Sequence, residues 1–144
     1  MNPPSIQLPV TEIESLIVTV REQRVILAPV LASVYGVPTK ALNQAVKRNA
    51  DKFPADFMFR LTPAEAEDLQ RSRSQIVTLK RGQNIKYLPA AFTEHGAIMA
   101  ANVLNSPRAT QMSVFVVRAF VKMRSAFKDS RELTQKLALL EQEL

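Results

Sequence analysis

The chain has 144 residues, of which 47% are hydrophobic and 22% are charged, a composition that predicts one globular domain able to bury a core. It contains no cysteine, which excludes a disulfide framework and a thiolate metal site and favours a reducing compartment, so we expect a cytoplasmic protein. The N-terminus lacks a signal-peptide pattern, and no apolar run approaches the length of a membrane span. We therefore expect no membrane partner.

Positive charge is concentrated in the first part of the chain. The formal net charge is +6, yet residues 129–144 contain two basic and four acidic residues. Residues 1–128 are left with 17 basic and 9 acidic residues, a net charge of +8. A domain this basic attracts polyanions, which favours nucleic acid, although charge alone does not exclude an acidic protein or a lipid surface. We expect a domain over residues 1–128 and the start of a leucine-rich helix over residues 129–144.

The first predicted elements are short strands and a capped helix. SLIVTV (15–20) and RVILAP (24–29) flank a tight connection and predict a β-hairpin. In DFMFRLT (56–62), every second residue is a large apolar one (Phe57, Phe59 and Leu61), so these three fall on one side, which is typical of a half-buried strand. Thr62, with Pro63 after it and Glu65 three residues on, forms a capping box that predicts a surface helix.

A second hairpin and two helical segments follow in the predicted order. QIVTLK (75–80) and NIKYLP (84–89) flank RGQ and predict the hairpin. AFTEHGAIMAANVLN (91–105) predicts an amphipathic helix capped by Thr93. Residues 107–124 are apolar on all sides, so we expect them to form the central helix of the core.

The C-terminal tail after FKDS (127–130) has leucines at spacings of four, three and four residues, the a/d pattern of a coiled coil. This pattern covers only two heptads, so two interpretations remain open. The tail either starts a dimerising coiled coil or forms one amphipathic helix folded back on its own domain. We expect a homo-oligomer formed through this helix. The leucines are Leu133, Leu137, Leu140 and Leu144.

Residues 28–47 fit a helix-turn-helix pattern at the positions that sterics restrict. Ala32 is the small residue at the helix crossing, Gly36 takes the turn, and Thr39 is placed as the N-cap of the second helix. At about 100° per residue, Leu42, Ala45, Val46 and Asn49 fall on one side of that helix. The opposite side, which we call the polar arc, has no acidic residue and consists of Lys40, Asn43, Gln44, Lys47 and Arg48.

The polar arc has the chemistry of a recognition helix, because Asn and Gln can bond adenine and Arg can bond guanine in a major groove. We expect Asn43, Gln44 and Arg48 to read bases, and Thr39, Lys40 and Lys47 to contact phosphates. The hairpin tip, with Lys80, Arg81 and Lys86, would be a wing on the sugar-phosphate backbone. The alternatives are a basic helix that only faces water and a charged strand edge that prevents aggregation.

Several blocks, among them VKRN, FPADFMF and FTEHG, make the chain resemble the KilA-N superfamily, in particular the N-terminal DNA-binding domain of phage antirepressors. The similarity spans about residues 13–124. It implies a small α+β domain, similar to that of fungal APSES regulators, with a helix-turn-helix element and β-hairpins followed by C-terminal helices. Two positions depart from the pattern: Ala28 stands where Asp is common, and His95 where Gln is usual. Neither lies on the polar arc.

No catalytic or metal-binding pattern is present. His95 is the only histidine and has no second ligand, Asp56 fits a turn, and the three glycines form no phosphate loop. We therefore expect no enzyme and no cofactor, and a sequence-specific double-stranded DNA-binding protein of phage or prophage type that regulates transcription or acts as an antirepressor. The alternative is a module that sequesters a phage repressor protein without itself binding DNA.

Overall fold

The structure is a computed structural model that describes residues 10–71 and 88–143. The elements follow one another as helix, hairpin, two helices, strand, helix, strand and two helices, which confirms the expected α+β class. In chain order they are α1 (Val10–Leu16), β1 (Val18–Val20), β2 (Gln23–Leu27), α2 (Ala28–Tyr35), α3 (Thr39–Arg48), a 3-10 turn (Ala50–Lys52), β3 (Met58–Arg60), α4 (Pro63–Arg71), β4 (Ala90–Phe92), α5 (Glu94–Leu104) and α6 (Pro107–Glu143).

The first predicted hairpin is confirmed, with β1 and β2 antiparallel and Val18 opposite Val25. Its two-residue turn places both Arg21 and Glu22 at positive φ, 55° and 63°, the conformation that matches the twist of paired strands. The first strand was predicted too long, because residues 15 and 16 belong to α1. α1 buries Ile13 in the main core, and Ile17, which follows the end of this helix, is buried in the same core.

The sheet has the order β1-β2-β4-β3, and each described pairing is antiparallel. β4 was not predicted, since residues 91 and 92 were assigned to a helix; it lies between β2 and β3, with Ala91 opposite both Leu27 and Phe59. Its three residues are all buried and show no alternation that would mark a strand. The central position of β4 therefore depends on tertiary pairing.

The sheet separates two apolar clusters. Ile26 and Phe92 point into the main cluster, which α2, α3, α5 and α6 cover. Leu27 and Ala91, the neighbouring residues, point to the other side, where α4 and Leu61 pack. This alternation follows from the two-residue period of strands. The helices α2, α3 and α5 are therefore all anchored in the same core.

The capping box that starts α4 is confirmed. The backbone N–H of Thr62 donates to Glu65 Oε1 at 2.8 Å, and the N–H of Glu65 donates to Thr62 Oγ1 at 3.2 Å. Arg21 in the hairpin turn forms an ion pair with the same Glu65 at 2.7 Å, which joins the turn to α4. The second predicted hairpin (75–89) lies outside the described residues except for its last two positions, which are not in a strand.

α6 buries one side only, so the prediction for residues 107–124 is confirmed on that side and wrong on the other. Val116 is fully buried, whereas Val114 and Val121 are 47% and 43% exposed. The helix continues without a break through residues 127–130 to Glu143, since this stretch has neither Pro nor Gly to stop it. None of the helices in the described part of the chain is long and apolar enough to cross a membrane.

In the described part of the chain, three of the predicted a/d leucines near the C-terminus do not pack against the domain. Leu133, Leu137 and Leu140 are 60%, 53% and 58% exposed. Among the described residues no contact supports the fold-back interpretation of the leucine pattern, and the coiled-coil interpretation stays a prediction. The boundary expected between residues 128 and 129 falls inside α6.

Candidate nucleic-acid interface

The turn between α2 and α3 is made by Gly36, as predicted. Gly36 has φ 73° and ψ 31°, in the left-handed region. Its N–H donates to the Ser33 carbonyl at 3.1 Å, and the N–H of Val37 donates to the Ala32 carbonyl at 3.0 Å. These two hydrogen bonds form a Schellman motif, which ends α2 and directs the chain into α3.

The N-terminus of α3 differs from the prediction by one residue. Pro38 occupies the capping position and makes no side-chain capping bond, and Thr39 is the first helical residue. The fixed φ of proline suits this position, and the Pro38 carbonyl accepts the first helical hydrogen bond from Leu42 at 3.1 Å. Thr39 is half-buried in the first turn and does not act as the N-cap, because Pro38 occupies that position.

α3 has one buried side and one exposed side. Leu42 and Val46 are 0% and 7% exposed, so they fix the helix to the core. The five residues of the polar arc are all exposed, and α3 contains no Asp or Glu. Four ion pairs within the described part of the chain join Arg21 to Glu65, Arg71 to Asp68, Lys122 to Glu14 and Arg124 to Glu94. None of these pairs uses a cation of the polar arc.

Tyr35 holds α2 against α5 beneath α3. Its side chain is fully buried, and its hydroxyl donates to the Ala97 carbonyl at 2.7 Å. Burial raises the pKa of Tyr35 far above its ordinary value, because the phenolate would lose its hydration in the core. At the other end of α3, Asn49 Nδ2 donates to the Ala45 carbonyl at 2.8 Å, which turns this side chain away from the polar arc.

Two of the sequence blocks, FPADF and FTEHG, meet at the start of α5. Thr93 caps α5 as predicted, because its Oγ1 accepts from the Gly96 N–H at 3.4 Å. The same hydroxyl donates to the Asp56 carbonyl at 2.9 Å. His95 stacks on Phe57 with ring centroids 5.6 Å apart. Asp56 and His95 therefore lie at a structural junction, and no group of metal ligands is found in the described parts of the chain.

A cavity of about 470 Å³ lies beside the polar arc. Asn43 and Lys47 line it on one side, Arg60 lines it on another, and Phe53 and Phe92 are among its apolar residues. Arg60 is exposed, and its Nη1 donates to the Leu88 carbonyl at 2.8 Å. Sequence reasoning missed this cation because it is 13 residues from Lys47, and only the folded chain brings both residues to one cavity.

The structure brings six of the nine predicted site residues onto one helix: Thr39 and the five residues of the polar arc. The other three, Lys80, Arg81 and Lys86, lie outside the described residues. Their role as a wing remains a prediction from the sequence.

These features define a small α+β domain that presents an exposed basic helix. Residues 15–103 match the ORF6N domain, and the chain belongs to this phage-associated domain family. The family found is ORF6N and not KilA-N, so the match supports the phage association that the resemblance implied, but not the narrower assignment. A comparison with curated proteins found no match, and neither did a comparison with solved structures.

Proposed function

We propose that this protein binds double-stranded DNA sequence-specifically through α3 and acts as a transcriptional regulator or antirepressor of phage type. The observation that carries the proposal is the polar arc: five exposed side chains that include two amides and three cations and no acid. An ordinary solvated helix mixes charges of both signs, because opposite charges one turn apart stabilise it. A side without acids fits a polyanionic partner, since carboxylates on that side would be repelled by phosphate.

In this proposal α2, the Gly36 turn and α3 act as a helix-turn-helix unit. α3 enters the major groove, where Asn43 and Gln44 bond adenine and Arg48 bonds guanine. Lys40 and Lys47 contact the flanking phosphates and fix the register of the helix on the duplex. The buried Leu42 and Val46 hold the helix in one orientation, which sequence-specific reading requires.

Arg60 extends the proposed phosphate contacts beyond α3. It shares a cavity with Asn43 and Lys47, so a strand of the duplex that follows this side of α3 would pass near its guanidinium. The wing residues Lys80, Arg81 and Lys86 would add contacts on the sugar-phosphate backbone. Together these cations make the affinity depend on salt, because each neutralised phosphate releases counterions.

The test compares an amide and a cation of the polar arc. Duplexes selected from a random pool supply the preferred site, and binding is measured on this site and on random duplex over a range of salt. Asn43→Ala should lose about 1–3 kcal/mol on the preferred site only, and Lys47→Ala should weaken both duplexes and lower the salt slope by about 1. Asn102→Ala, the same substitution at an exposed position of α5, is the control and should bind as the unaltered chain does.

Equal losses on both duplexes for Asn43→Ala and Lys47→Ala would remove the base-reading role. Binding that does not weaken with salt would remove the phosphate contacts as well.

The second candidate function is a module that binds a phage repressor protein. The exposed leucines of α6 favour it, since such side chains are covered in protein complexes. It would show little affinity for any duplex.

A further inference from the structure

The buried side of α6 and three of its exposed leucines, Leu133, Leu137 and Leu140, belong to one heptad register. Counting back from Leu137 and Leu140 in steps of seven reaches only apolar or small residues as far as Ala109, and in the sequence Ala126 and Ser130 fill the positions between the two halves. The a positions are Ala109, Val116, Met123 and Leu137, and the d positions are Met112, Ala119, Leu133 and Leu140.

The a and d residues of this register form an apolar stripe along α6, and the two ends of the stripe differ in burial. Ala109, Val116 and Ala119 are fully buried by the helices of the domain. Leu133, Leu137 and Leu140, at the same heptad positions farther on, are more than half exposed. One exposed leucine on a surface is ordinary, but three at a/d spacing form the seam that a second helix covers. The described residues provide no such helix within the chain.

We propose that residues 133–143 of α6 pair with the same segment of a second copy of this chain, in a parallel, in-register, two-stranded coiled coil. The charges beside the seam favour this partner. Lys136 occupies a g position, and in the sequence Glu141 follows five residues later at an e position. In a parallel pair each g residue meets the e residue five positions on in the other helix, so this Lys–Glu pair would form twice.

The short length of the seam is compatible with pairing because the helix is already formed. Two isolated heptads barely fold in water, since the first turn of a helix is unfavourable to nucleate. Here residues 107–124 are fixed by the core, and the exposed segment only extends the same helix. Association therefore does not need a new nucleation step.

Leu139 provides a matched control for this proposal. It is 60% exposed, nearly the same as Leu140 at 58%, and directly precedes Leu140 in the helix. Its heptad position is c, which lies outside the seam. The two leucines thus differ in position relative to the stripe and not in exposure.

The first test measures the association of the full chain by sedimentation equilibrium without DNA. Leu140→Gln should weaken the dimer by about 100-fold or more, because two seam leucines are lost per dimer. Leu139→Gln should leave the dimer unchanged. Both substitutions are at exposed positions, so thermal unfolding at low concentration should be the same for the two variants. A monomeric unaltered chain at about 100 μM, or equal weakening by both substitutions, would overturn the proposal.

The second test determines orientation and uses the absence of cysteine in the chain. Single variants Leu133→Cys and Leu140→Cys should each form an intermolecular disulfide on mild oxidation, because matching d positions meet across a parallel seam. Leu139→Cys should not. An antiparallel pair can bring at most one of the two d positions to its symmetry centre, so cross-linking of only one variant, or of neither, would refute the parallel register. Neither test involves DNA, so its failure is separate from failure of the proposed function.

Discussion

Replacing Gly96 with alanine tests the junction between the two sequence blocks that meet at the start of α5. A Cβ atom at this position would lie 1.8 Å from the Phe57 carbonyl oxygen and 2.7 Å from the carbonyl carbon, both backbone atoms. Ordinary contacts of a Cβ atom begin at 3.4 Å, so the two backbones would have to separate by about 1.6 Å, the difference between 3.4 and 1.8 Å. The same carbonyl accepts the Thr93 N–H at 3.0 Å, and this separation would break that bond.

Two effects of opposite sign decide the outcome. Alanine is favoured over glycine inside a helix by about 1 kcal/mol. Overpacking against a backbone that cannot move freely costs about 1–3 kcal/mol, and a lost hydrogen bond costs about 1 kcal/mol more. We therefore expect Gly96→Ala to lower the free energy of unfolding by about 1–3 kcal/mol, which for a domain of this size lowers Tm by roughly 3–10 °C.

Thermal and urea unfolding, followed by circular dichroism, would measure this change. Asn102→Ala in the same helix is the control, since its side chain is exposed and alanine is the better helix former. The control should be unchanged or slightly more stable. If Gly96→Ala were as stable as the unaltered chain, the close approach of α5 to residue 57 would not exist in solution, and the reasoning would be refuted.

Three further changes test the scaffold around α3 and the hairpin turn. Gly36→Ala should destabilise the chain by about 1–2 kcal/mol in urea unfolding, because an L-residue is strained at φ 73°; an unchanged midpoint would contradict the turn geometry. Tyr35→Phe should cost about 1 kcal/mol in thermal unfolding, since it removes a buried hydrogen bond to α5. The hydrogen bond from Arg21 lowers the pKa of Glu65. The ionised Glu65 carboxylate therefore stabilises the folded chain fully above the ordinary glutamate pKa of about 4.3, and this stabilisation is lost as pH falls through the lower folded pKa. Glu65→Gln should therefore lower Tm at pH 7 and make little difference in strong acid, and a Tm difference that grew on acidification would contradict this assignment.

Much of the local structure could be predicted because its causes are local. The capping box at Thr62 and Glu65, the turn at Gly36 and the cap at Thr93 each depend on residues a few positions apart. The two sides of α3 follow from helix periodicity, since Leu42 and Val46 fall opposite the polar arc. The composition of the candidate interface was therefore readable from ten consecutive residues.

The misassigned elements are those whose signal is weak or whose partners are distant. β4 is three buried residues without alternation, and it becomes a strand because β2 and β3 pair with its two edges. Residues 15 and 16 belong to α1 because that helix packs against α6 and buries Ile13 in the main core. Thr39 is not the N-cap because Pro38 already fits that position. In each case a specific neighbour overrode local preference.

The sequence by itself determined the apolar periodicity of the helices and the lack of acids in α3, because periodicity and charge are properties of neighbouring positions. Only the tertiary structure decided what covers each apolar stripe. It showed that α6 is buried over its first turns and uncovered at Leu133–Leu140, and that Arg60 lies beside the polar arc. The physical reason is that burial depends on which surfaces meet, and a pattern along one helix specifies the need for a partner without specifying the partner.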